Sequence, residues 1–183
     1  LTVNSMAETA RLNLIDSMRL LDDYTPALFD KVQATEDLVD QFEDKLGTYL
    51  VKLTALELTV EQSERVSKYL HALSDFERIS DHAVNISENA QEKNDKRVRF
   101  SADAEHELHV LNSAIEEILA MSIKSFIDDD ISTAYRVEPL EERIDVLCDE
   151  MKLRHVDRLQ RGECSLEHGF LFNDLLTNFE RVA

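Results

Sequence analysis

Two carboxylate pairs at helical spacing are where this chain could do chemistry. Glu36 and Asp40 form one pair, Glu77 and Asp81 the other, each a Glu-x-x-x-Asp with no glycine or proline inside it. Residues four apart lie on one helix face, about 6 Å apart at Cβ. Each pair is therefore a compact acidic patch, and Glu43 adds a fifth carboxylate to the first. If the two helices pack side by side, several ionised carboxylates meet in a poorly solvated seam. Such a seam needs either protons or cations. Arg78 is the local cation, and one guanidinium does not balance four charges. Hard oxygen donors suit divalent and ferric ions, and carboxylate-rich helix bundles hold di-iron and di-manganese centres. The expectation is a bound divalent or ferric cation. The plain alternative is an acidic, solvated helix face.

The elements that must position these residues argue against the plain alternative. Val32, Glu36, Val39, Glu43, Leu46, Leu50 and Leu53 follow alternating gaps of four and three, the spacing of a helix-packing stripe. Val66, Leu70, Leu73, Glu77, Ser80 and Val84 trace a second such seam. Acids therefore stand where core residues are due. The periodicity predicts six helices, over about 3–23, 26–53, 59–92, 101–127, 132–159 and 165–183. Thr25 before Pro26, Thr59 with Gln62 three residues on, and Ser101 read as N-caps, and Ser165 with His168 begins the last helix. Asp128-Asp129-Asp130 and Gly162 read as breaks. No segment alternates with period two, so the expected fold class is all-α.

Composition agrees. Three Gly and two Pro in 183 residues suit a chain that turns rarely. Against 38 Asp and Glu stand only 20 Lys and Arg, a net charge of -18. That excludes a nucleic-acid backbone as partner, which needs a basic face. No apolar run is long enough to span a bilayer and no signal-peptide pattern opens the chain. Cys148 and Cys164 have no CxxC neighbour and read as free thiols of a reducing compartment. The reading is a soluble, cytoplasmic segment.

The acidic pairs recur. Val32, Glu36, Val39 and Asp40 map without a gap onto Val137, Glu141, Ile144 and Asp145, 105 residues on. Leu73, Phe76, Glu77, Arg78 and Ile79 map onto Leu176, Phe179, Glu180, Arg181 and Val182, 103 residues on. Two copies of a three-helix unit follow, 1–95 and 96–183, arranged as two pseudo-symmetric three-helix bundles. Candidate metal ligands are Glu36, Asp40, Glu43, Glu77 and Asp81 in the first copy and Glu141, Asp145 and Glu180 in the second. The second copy departs from the first: Cys148 replaces Glu43, Asn178 replaces Asp75, and the mate of Asp81 would be residue 184. Its site is expected to be the less secure, and its last helix to be cut short.

Asp75-Phe76-Glu77-Arg78-Ile79-Ser80-Asp81-His82-Ala83-Val84-Asn85-Ile86-Ser87-Glu88 resembles the signature of the PhoU family. The partial copy Asn178-Phe179-Glu180-Arg181-Val182-Ala183 resembles it again. The resemblance implies two three-helix bundles with multinuclear metal clusters, iron in some members, held by E(D)xxxD motifs on the bundle surface. It moves the acidic seam from a dry core to a groove. It also implies a non-enzymatic regulator of phosphate uptake, whose partners are a phosphate transporter membrane domain or phosphate-sensing proteins, with homo-oligomers a further expectation. Leu1 to Ala10 looks like the helix that follows the membrane part of bacterial sodium/phosphate cotransporters. The expectation is a PhoU-like domain tethered by such a transporter to the inner face of the plasma membrane. The alternatives are a free-standing PhoU-type negative regulator of phosphate ABC transport and signalling, and a carboxylate-bridged metalloenzyme. Against the last, neither acidic helix carries a Glu-x-x-His pair. Of the histidines, His82 is expected at the surface or facing a partner, and His155 in the core or at a cap.

Overall fold

The computed structural model describes residues 2–183; Leu1, at the head of the cotransporter-like stretch, lies outside them. Within them the chain is helical: α1 Thr2–Asp22, α2 Pro26–Thr54, α3 Val60–Asp95, α4 Ala102–Asp128, α5 Ile131–Ala134, α6 Val137–Gln160 and α7 Leu166–Val182. Six are long, and α5 is a single turn. The expected start signals operate as side-chain caps. Thr25 accepts from the Leu28 amide, Ser101 from Ala104 and Ser165 from His168. Thr59 and Gln62 form a reciprocal capping box on α3.

The expected fifth helix is two elements. Asp130 caps α5 by accepting from the Ser132 and Thr133 amides, and the helix restarts at Val137. Pro139 explains the restart, since its ring has no N–H and crowds the carbonyl four residues back. Ala34 holds the matching position in α2, which runs on unbroken.

Helices α1, α2 and α3 pack on one another, as do α4, α6 and α7. The two groups share one core. Leu14, Met18 and Ile86 of the first and Ile115, Met151 and Phe172 of the second belong to a single buried cluster. Burying about 100 Å² of apolar surface stabilises by roughly 2.5 kcal/mol, and the shared core ties the two groups together in this way. Asn13 of α1 pins the first bundle, donating to the Val32 carbonyl at 3.2 Å and to Ser80 Oγ at 3.0 Å. Glu107 and Arg158 form the corresponding buried tie between α4 and α6, at 3.0 Å. Across the groups α3 packs on α7, and Lys68 of α3 reaches the Phe126 carbonyl of α4 at 3.2 Å.

Because α3 serves both bundles, it is buried on more than one side. Val66, Leu73 and Ser80 face the first bundle, and His82 is buried as well. This corrects the expectation of a surface histidine. Its Nδ1 lies 3.0 Å from Asn178 Oδ1 on α7. A helix-wheel argument drawn for one three-helix bundle leaves that side open, and here the second bundle covers it. His155 is in the core as expected, its ring 5.1 Å from Phe172. Among the described residues no helix is long and apolar enough to cross a membrane.

Candidate metal-binding face

The acidic face lies along α2 and α3, which hold its members by packing of their apolar neighbours. Val32, Val39 and Leu50 of α2 and Val66, Leu73 and Ser80 of α3 are buried. Glu36, Glu43 and Glu77, on the same stripes, are half-buried, whereas Asp40 and Asp81 are exposed. The pairs thus open to the surface, as a groove would, and do not point into a dry seam. Each Glu lies over apolar neighbours, and its Asp partner stands one turn on in water.

The five carboxylates share one electrostatic field. Glu77 is pushed up to about 7. Loss of solvation is the main cause, followed by the charges of Asp81 and Glu43, a hydrogen bond with Asp81, and the charge of Asp40. Glu36 is raised by burial first, then by Asp81, Asp37 and Asp40. Charges on α3 act on α2 and the reverse, so both pairs belong to one face. Glu43 accepts from Ser74 Oγ at 3.1 Å, a third link between the helices. Among the described residues, no ion pair reaches any of the five. Arg78, the expected local cation, instead lines a cavity of about 360 Å³ together with Arg181 of α7.

The donor set fits a hard cation in kind, being carboxylate oxygen throughout. It is not gathered into a finished cage: among the described residues no group of three or more His, Cys, Asp and Glu side chains stands ready to hold an ion. A cation would draw flexible Glu side chains inward from α2 and α3, and ligation would displace the proton that Glu77 holds below about pH 7.

The second half is arranged differently. Glu141 and Asp145 are half-buried on α6, and Glu180 is half-buried on α7. Cys148, in place of Glu43, is fully buried, and burial first, then the Glu180 charge, push its thiol up to about 12. It stays a neutral thiol. Glu180 is in an ion pair with Lys152, Nζ to Oε2 2.6 Å. Reading motifs alone missed Lys152. The repeat register could have found it, since 105 residues before Lys152 stands Gly47.

Comparison with known proteins bears on this fold and this face together. Residues 3–90, which include both acidic helices of the first half, match the family model of the PhoU domain. Over that stretch the chain is similar to the PhoU domain. A Thermotoga maritima phosphate-specific transport system accessory protein, PhoU homolog 1, is 23% identical over 99% of this chain and 78% of its own length. A putative inorganic phosphate export protein, YjbB of Escherichia coli K12, is 24% identical over 98% of this chain. The chain spans only 34% of that protein's length. Among solved structures, PhoU from Pseudomonas aeruginosa superposes with a TM-score of 0.92 at 16% identity, covering 99% of this chain and 86% of that one. The PhoU regulatory protein from Streptococcus pneumoniae gives 0.86 at 16% identity, with 99% and 84% covered. At such identities the superpositions speak for the PhoU-like helical fold.

Proposed function

We propose that this chain is a regulatory domain of phosphate transport, non-enzymatic, whose α2–α3 carboxylate face takes up a hard divalent or ferric cation. The observation that carries the reading is the uncompensated charge of that face within a PhoU-like fold. Five carboxylates are held in mutual range and, among the described residues, none is in an ion pair, so a proton on Glu77 or a cation would supply positive charge there. Glu36, Asp40, Glu43, Glu77 and Asp81 would hold the ion. A bound cation contributes positive charge between α2 and α3 and so favours one relative placement of the two helices. Because α3 also packs against α7, that placement reaches the second bundle. The partner surface is the cytoplasmic side of a phosphate-transport protein.

Two arrangements of the whole protein are supported by relatives of different length. The match to phosphate export proteins over nearly all of this chain but a third of theirs favours a domain tethered to a phosphate-carrying membrane part, such as a sodium/phosphate cotransporter. The match over most of an accessory protein favours a free-standing regulator. In either arrangement the proposed face would have the same task. The test is labelled-phosphate uptake and efflux in cells that lack the full-length protein, complemented with the wild type or with D40N/D81N. The reading expects wild type to change net phosphate flux and the variant, expressed at equal level, to fail to do so. Equal fluxes with wild type, variant and empty vector would refute it.

A further inference from the structure

We propose that the second half of the chain carries its own cation, the ammonium of Lys152, in the place where the first half takes up metal, so the protein is metal-binding on one face only. This rests on the reading of the first face given above. By the repeat register α2 corresponds to α6 and α3 to α7, and two differences between these pairs bear on the site. On α2 the turn that follows Glu43 carries Gly47, and a Cβ added there meets no atom within 4 Å. The space beside Glu43 is open. On α6 the matching turn carries Lys152, whose Nζ sits 2.6 Å from Glu180, the repeat mate of Glu77, and 3.7 Å from Asp149.

A second change removes a donor. Where Glu43 offers an oxygen toward Ser74 of α3, Cys148 is fully buried among the apolar residues of the shared core. At these two positions the second face therefore has one carboxylate fewer and one positive charge more than the first. Each change lowers affinity for a metal cation, and they act together: the ammonium repels a metal ion and occupies the Glu180 oxygen that would ligate it. The Lys152 ammonium is also tethered to the chain and cannot be lost to solvent as a bound metal ion can. The second bundle is then held permanently in the compensated arrangement, while the first responds to metal supply. A duplicated fold has become a sensing half and a reference half.

The experiment is Mn²⁺ binding to the purified full-length protein, followed by electron paramagnetic resonance and calorimetry, with circular dichroism to verify folding. D40N/D81N, which disables the first face, is expected to leave no bound Mn²⁺ although Glu141, Asp145 and Glu180 are intact. Adding K152A and C148E to that background is expected to restore a site. In the reverse direction, G47K alone, introduced into open space, is expected to abolish binding at the first face. Mn²⁺ retained by D40N/D81N and lost on further E180Q substitution overturns the inference. So does a folded K152A/C148E variant that gains nothing, or a folded G47K that binds as the wild type does. Absence of binding to the wild type counts against the proposed function, whereas the K152A/C148E gain reports on the second face regardless.

Discussion

Replacing Glu77 by Gln removes one negative charge from the α2–α3 face at nearly constant shape. In the folded chain its carboxyl is raised from 4.5 to about 7, so between these values the native state binds a proton that the unfolded chain has already released. Stability therefore falls as pH rises through this window, and the penalty is complete above about 7. At about 1.4 kcal/mol per tenfold, the upper bound is roughly 3 kcal/mol. The side chain is half-exposed, and solvent screening reduces this to about 1–2 kcal/mol. Gln also keeps a donor for Asp81. With a chelator present at pH 8, E77Q should be more stable than the wild type by about 1–2 kcal/mol in urea, or about 2–8 °C in melting temperature for a chain of this size. At pH 5 the two proteins should agree within about 0.5 kcal/mol. An E77Q protein no more stable at pH 8 than at pH 5, relative to wild type, would refute the claim that this face carries uncompensated charge.

Two further perturbations test the frame that holds the face. Glu107→Ala strands the buried Arg158, 3.0 Å away, and should cost about 3–5 kcal/mol in urea denaturation, with the loss concentrated in the α4–α6 contact. Gly169→Ala puts a Cβ 2.6 Å from His155 Nε2 and should cost about 1–3 kcal/mol; in an H155A background the same change should be nearly free, a non-additivity that a double-mutant cycle reads directly.

How far residues could be read from sequence depended on whether the governing contacts are local. Helix starts at Thr25, Thr59, Ser101 and Ser165 were legible because a cap is chemistry within four residues. The break at 135–136 was equally local but hidden, because Pro139 interrupts a seam whose apolar spacing continues across it. The half-buried state of Glu36, Glu43 and Glu77 followed from their position on seams of alternating gaps. His82 was misread because its environment comes from α7, about a hundred residues away, and no periodicity within α3 encodes a second bundle. Lys152 was missed for a different reason. Its role is defined only by comparison with Gly47 in the other copy, and motif reading notices acids that repeat more readily than a cation that does not. The convergence of α2 and α3 acids into one field was expected, but their flexible side chains do not announce a finished cage.

On the proposed function, the first-half carboxylate face is a cation site in wait. Calorimetric titration of the purified protein with Mn²⁺ at several pH values tests it most directly. Binding should tighten from about pH 6 to pH 8 and release about one proton near pH 6.5, since ligation displaces the proton on Glu77. At a hundredfold excess over the dissociation constant it should stabilise the fold by about 2.7 kcal/mol. Both effects should vanish in D40N/D81N. A wild type that binds neither Mn²⁺ nor ferric ion, or one whose binding is unchanged by D40N/D81N, would contradict the claim.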